Sequence, residues 1–127
     1  MNNGQKEAAS NALTERIIQG IVKVHRTLGP GFLESIYRNA LVLELIGKGL
    51  KVESEKEVTV YYEGRPVGTH RLDILVEGKV VLELKTVEQL TAAHYAQIRS
   101  YLKATGLNVG LLVNFAKQRS DFRRVEL

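Results

Sequence analysis

Three residues, Asp73, Glu83 and Lys85, stand in runs that otherwise read as buried strand. In Lys79 to Lys85, KVVLELK, strand alternation sets Val80, Leu82 and Leu84 on one face and Val81, Glu83 and Lys85 on the other. An acid and a base therefore leave that strand side by side. In the preceding run Arg71, Asp73 and Leu75 share one face, and Leu72, Ile74 and Val76 the other. Whether Asp73 meets Glu83 depends on the turn between the runs. A strict two-residue turn at Glu77-Gly78 pairs Asp73 with Leu82, on the wrong side. A three-residue loop, or a bulge with Gly78 at positive φ, brings Asp73 beside Glu83, and that irregularity is expected.

Two carboxylates held close repel each other unless a cation lies between them. A hard divalent ion, magnesium or manganese, takes a couple of carboxylates plus waters and phosphate oxygens, and this site offers oxygen donors without soft ones. Asp73 and Glu83 are the candidate ligands, with the main-chain carbonyl of Leu84 as a third. Such an ion would lower the pKa of a bound water and polarise a phosphate, while Lys85 orients the nucleophile or stabilises negative charge. The bland alternative is a solvated Glu-x-Lys face with Asp73 paired to Arg71.

Glu34 joins the set from a helix: steps of about 100° place it in one sector with Tyr37, Leu41 and Leu45, so an acid lies on the stripe that faces the core. It is a candidate catalytic acid and a metal ligand through water; the alternative is an i, i+4 ion pair with Arg38. On a later helix His94, Gln97, Ile98 and Tyr101 share a face. Gln97 can hydrogen-bond a nucleotide or Lys85, and Tyr101 can touch phosphate or stack on a base. Tyr37 and the C-terminal cations Lys117, Arg119, Arg123 and Arg124 complete the nucleic-acid-binding candidates, a basic rim around an acidic centre. His25 and His94 read as structural before they read as proton carriers.

The elements that must position these groups follow from periodicity. Leu13, Ile17, Ile21, Val24 and Leu28 recur at steps of three or four, which predicts a helix over Ser10 to Leu28 ended by Gly29-Pro30-Gly31. Residues 1–10 read as a flexible N-terminal segment. A second helix is expected from Phe32 to about Ile46, then strands at Val52 to Tyr62, Gly68 to Val76 and Lys79 to Lys85. A third helix, Leu90 to Ala104, crosses over to a buried strand at Leu107 to Phe115, with a short strand at Phe122 to Leu127. The order implies a single α/β (α+β) domain, a mixed sheet covered by helices, with chemistry at the carboxyl end of the third strand.

The 127 residues suit one domain, and 44% hydrophobic with 25% charged residues is ordinary globular composition. Absence of cysteine removes disulfides, zinc-thiolate sites and thiol nucleophiles. No apolar run is long enough for a bilayer, and the N-terminus lacks a secretory core, so a cytoplasmic location is the expectation. A formal charge of +4 inclines the chain towards an anionic partner.

Asp73 with Glu83-Leu84-Lys85, following a helix that bears Glu34, resembles the PD-(D/E)XK or restriction-endonuclease-like superfamily. Gln97-x-x-x-Tyr101 resembles the auxiliary motif of RecB-type nucleases, and Gly31-Phe32-Leu33-Glu34-Ser35-Ile36-Tyr37 matches the signature of the small GxxExxY family placed in that superfamily. The resemblance implies an αβββαβ core, Asp73 and Glu83 as metal ligands, Lys85 as the catalytic lysine and Glu34 as the accessory acid. Leu72 stands where the name-giving proline would be. The implied activity is metal-dependent hydrolysis of nucleic acid, most of all DNA. Alternatives are a Holliday-junction resolvase, which needs a homodimer, and a non-catalytic nucleic-acid- or partner-binding module. Little of the chain is left for a recognition domain, so sequence-specific cleavage would need a protein partner.

Overall fold

In the computed structural model, which describes residues 2–127, the chain runs α1 (Asn3–Leu28), α2 (Glu34–Gly47), β1 (Val52–Tyr62), β2 (Arg65–Val76), β3 (Val80–Lys85), α3 (Ala92–Thr105), β4 (Val109–Asn114) and β5 (Asp121–Glu126). The strands form one sheet in the order β1-β2-β3-β4-β5. Only β3 and β4 are parallel, joined through α3; the other neighbours are antiparallel. This is the expected mixed sheet flanked by helices.

The first helix begins earlier than its apolar stripe. Asn2 and Gln5 form a reciprocal cap, each side chain accepting the other's backbone N–H, and the Ala-rich stretch behind them sustains the helix. Residues 3–10 are therefore helical, where a flexible segment was expected; Met1 lies outside the described residues. At the other end Gly29, with φ of 70°, ends the helix in a conformation that L side chains rarely adopt.

Two cores sandwich the sheet. On one side Ile74, Val76, Leu82, Leu84, Leu111 and Val113 meet α1 and α2 through Ile17, Ile21, Tyr37, Leu41 and Leu45. On the other, Leu75, Val81, Leu112 and Val125 meet α3 through Ile98, Tyr101 and Leu102. A Cβ added at Gly110 would lie 2.7 Å from Ile98 Cδ1, so the missing side chain is what lets α3 seat on β4.

The turn between β2 and β3 has three residues. Glu77 and Gly78 both take positive φ, 54° and 62°, the Lys79 N–H donates to the Val76 carbonyl, and Val76 pairs with Val80. Pairing continues through Ile74 and Leu82, which sets Asp73 opposite Glu83 as the irregular turn requires.

One alternation expected from sequence does not hold. Leu72 packs in the α3 core although Ile74 and Val76 pack against α1 and α2. The switch falls at Asp73. On β1, Val52 and Val58 likewise lie in opposite cores, and between them Glu55 sits at a φ of 52° with the Glu55–Asp73 pair missing from a ladder that is otherwise in register from Val52 to Val60. Both strands roll over at this one level, without a slip of register. Arg71, Asp73 and Leu75 consequently do not share a face.

Candidate metal centre

Asp73 stands at the roll-over, half-buried, and its Oδ2 accepts the Leu84 N–H at 2.7 Å. The ladder between β2 and β3 has ended one residue earlier, so a side chain takes the place of the next main-chain acceptor. This holds the carboxylate close to the plane of the sheet, between the two cores.

Glu83 comes from the middle of β3 and is 5% exposed. Its Oε1 is 3.7 Å from Lys85 Nζ, while its Oε2 is buried without any hydrogen-bond partner. Burial first and the Asp73 carboxylate second push its pKa up to about 9, against the pull of Lys85 and with a smaller push from Glu34. Lys85, its side chain 19% exposed, donates to Gln97 Oε1 at 2.9 Å. Gln97 thereby fixes the amine from α3.

Glu34 is the first residue of α2 and is half-buried. Arg38 does not neutralise it. That guanidinium and the one of Arg71 both go to Glu55, at 3.2 and 2.7 Å. Burial first and Asp73 second raise the Glu34 pKa, with Lys85 and Arg38 opposing, so the acid faces the same centre. It stands off from the other two. Among the described residues no group of three His, Asp or Glu side chains is close enough to hold a metal alone.

These groups fit a hard divalent cation. An unpartnered carboxylate oxygen beside a second carboxylate lacks what such an ion supplies, and two protein carboxylates completed by water and phosphate oxygens is a common arrangement for magnesium. A cavity of about 620 Å³ elsewhere, between α1 and the β2–β3 turn, has a largely apolar lining around Leu13 and Leu50 and none of these acids.

Without a metal the buried carboxyl makes stability fall with pH. Glu83 ionises near 4.5 in the unfolded chain but only at about 9 in the fold, so the folded state holds an extra proton between those values. Its contribution is complete below 4.5 and is lost as pH climbs to about 9. In chelator, denaturant titrations across that window should show stability declining by up to about 1.4 kcal/mol per pH unit. Glu83→Gln should flatten the slope; an unchanged slope in that variant would remove Glu83 as its source.

Tyr101 is 6% exposed, with its ring edge-on to His70 at 4.5 Å. Its pKa is pushed up to about 12 by burial, then by Glu83 and Asp73, with Gln97 opposing, so the hydroxyl stays protonated. The ring has no free face on which a base could stack, which corrects that part of the expectation.

Tyr37 is withdrawn as a nucleic-acid residue. It is fully buried, stacks on Phe115 at 4.4 Å, donates to the Gly29 carbonyl and accepts the Phe32 N–H. It closes the loop that leads into Glu34. His25 is a core residue too, its Nε2 2.6 Å from the Lys117 carbonyl and its ring beside Phe115. His94 Nδ1 accepts the Thr91 N–H and caps α3.

The C-terminal cations do not form one rim. Arg123 pairs with Asp121, and Arg124 with Glu126 and with Thr14 of α1, on the edge strand β5. Lys117 and Arg119 lie in the loop after β4, at the end of the sheet where β3 also finishes. Asn114 was not singled out from sequence. It is fully buried, and its side chain donates to the Val87 carbonyl and accepts the Val87 and Ala116 N–H groups. It clamps the segment that follows Lys85. A lone amide ending the apolar run Val109 to Val113 was the available signal.

Residues 11–125 match the family model described as the PD-(D/E)XK nuclease superfamily. No curated protein matches the sequence. Among solved structures, the crystal structure of SSO0001 superposes with a TM-score of 0.59 at 22% identity, covering 72% of this chain and 48% of that one. An alkaline exonuclease from Laribacter hongkongensis gives a TM-score of 0.44 at 16% identity, covering 72% and 55%. This chain spans about half the length of the solved structures it matches.

Proposed function

The chain belongs to the PD-(D/E)XK nuclease superfamily, and from that premise we propose that it is a metal-dependent nuclease hydrolysing phosphodiester bonds, with DNA as substrate and Asp73, Glu83, Lys85 and Glu34 as its active site. The observation that carries the proposal is the buried, unpartnered Oε2 of Glu83 beside Asp73 and Lys85. The Lys85 contact reaches only Oε1, so a buried carboxylate oxygen is left for which the chain supplies no donor. Within the superfamily the Gly31, Glu34 and Tyr37 spacing supports assignment to the GxxExxY proteins.

Asp73 and Glu83 would hold magnesium or manganese, with the Leu84 carbonyl as a further oxygen and Glu34 reaching it through water. When bound, such an ion supplies Lewis-acid polarisation of the phosphate and of the attacking water. The chain's own residues then divide the work. Lys85, held by Gln97, has donors left over to orient the nucleophile and to meet charge that develops on the phosphate. The protonated Tyr101 hydroxyl adds a neutral donor from the α3 side. Lys117 and Arg119 are suited to flanking phosphates.

Labelled single-stranded and duplex DNA, incubated with the protein plus and minus magnesium or manganese, should be cut only with the ion. Cutting that persists in chelator would reject the metal; no cutting of DNA or RNA under any condition would leave a binding module with the nuclease fold.

A further inference from the structure

Beyond Asp73 the β1–β2 hairpin continues past the end of β3 as a two-stranded ribbon, because β2 runs antiparallel to β3 and its residues 65–72 have no partner there. The ribbon projects from the end of the sheet that carries the acids. Its inner face packs on α3 through Val58 and Leu72, and the groove between them holds a cavity of about 330 Å³ bounded by Val60, Tyr61, His70, Ser100, Lys103 and Ala104.

The groove begins one helical turn from the metal centre. Gln97, which holds Lys85, lies one turn of α3 before Ser100; the Ser100 hydroxyl donates to the Gln97 carbonyl and sits 3.3 Å from His70 Nε2, and His70 meets Tyr101. From Gln97 to Lys103 the helix advances about 9 Å. Small side chains, Ser100 and Ala104, floor the groove. At its far end an exposed cation, Lys103, faces Tyr61, a tyrosine 64% exposed. No acid lines the cavity, and strand alternation puts Glu57 on the opposite face from Val58.

We propose that one strand of DNA runs from the carboxylate centre along this groove, a base stacked on Tyr61 and a phosphate on Lys103, so that the enzyme acts on unpaired ends or single strands. The inference rests on the nuclease reading of the centre. Charge complementarity and nearness to the acids select the occupant: a flat aromatic and a lysine, spaced along the trough, suit a chain of unstacked nucleotides. A trough of about 330 Å³ has room for base-sized groups.

The test is anisotropy of fluorescein-labelled oligodeoxythymidine with the full chain in chelator, beside a labelled duplex. Tyr61→Ala should weaken binding about fivefold to a hundredfold, the range for losing one stacked base, and Tyr61→Phe should bind as the wild type does. Lys103→Glu should weaken binding and reduce its salt dependence. Both residues are exposed, and thermal melts confirm that the variants are folded. Unchanged affinity in Tyr61→Ala and Lys103→Glu, or tighter binding of duplex than of single strand, overturns the path. Binding in chelator separates the two readings. A protein that binds by these residues but never cuts refutes the nuclease, and one that cuts with both variants unaffected refutes only the groove.

Discussion

Lys85→Met should lower DNA cleavage by about a hundredfold to a thousandfold at saturating magnesium, the range for removing one preorganised donor from a developing negative charge. The substitution keeps the length and apolar stem of the side chain and removes only the ammonium. Lys85 Nζ has three donors; one goes to Gln97 at 2.9 Å and a weaker contact goes to Glu83 at 3.7 Å. Neither contact closes a turn or a ladder, so the fold should survive. Asp73→Ala is the less decisive companion, because Asp73 also receives the Leu84 N–H, and its loss removes architecture together with charge. Cleavage rates measured with equal melting curves check the prediction. A Lys85→Met protein as active as the wild type would dismiss the assigned centre.

Tyr37→Ala should cost about 3–5 kcal/mol of stability, the range for truncating a large buried aromatic, and lower the melting temperature by about 10 °C or more. The ring is fully buried and stacks within 4.4 Å of Phe115, and its hydroxyl joins the Gly29 carbonyl to the Phe32 N–H. Tyr37→Phe separates the two contributions. Keeping the ring and orphaning the loop, it should cost about 1–3 kcal/mol. Because that loop sets where Glu34 starts α2, Tyr37→Phe should also reduce cleavage more than its small loss of stability explains. Equilibrium denaturation and rates on the same preparations decide this; a Phe variant equal to the wild type in both would leave the hydroxyl without a role.

Sequence pattern carried β3 well because both of its neighbours are in place through the first part of the strand and both of its faces are buried, so alternation alone sorts Val80, Leu82 and Leu84 from Val81 and Glu83. The three-residue turn was readable from the demand that two acids meet. The roll-over at Asp73 was not, since it goes with a left-handed Glu55, a residue type that gives no warning of positive φ. Tyr37 shows a different failure. Its place on the buried stripe with Leu41 and Leu45 was legible and argued for the core, yet its chemistry suggested a ligand. Arg123 and Arg124 read as a basic cluster because they adjoin in sequence; in a strand they point apart, and each meets an acid two residues away. Asn114 was hidden because its partners, Val87 and Ala116, are main-chain groups that no side-chain pattern reports.

Where β2 leaves β3, the domain acquires an inner sheet edge next to its own acids, and bare edges are templates on which other chains add strands and aggregate. This one is poorly suited to that. Pro66 lacks an N–H, Gly68 adds no side chain to a zipper, the register shifts beside Tyr61, and Arg65 and Arg71 place charge along the run. The edge is thus left bare yet guarded against strand addition by copies of the same chain.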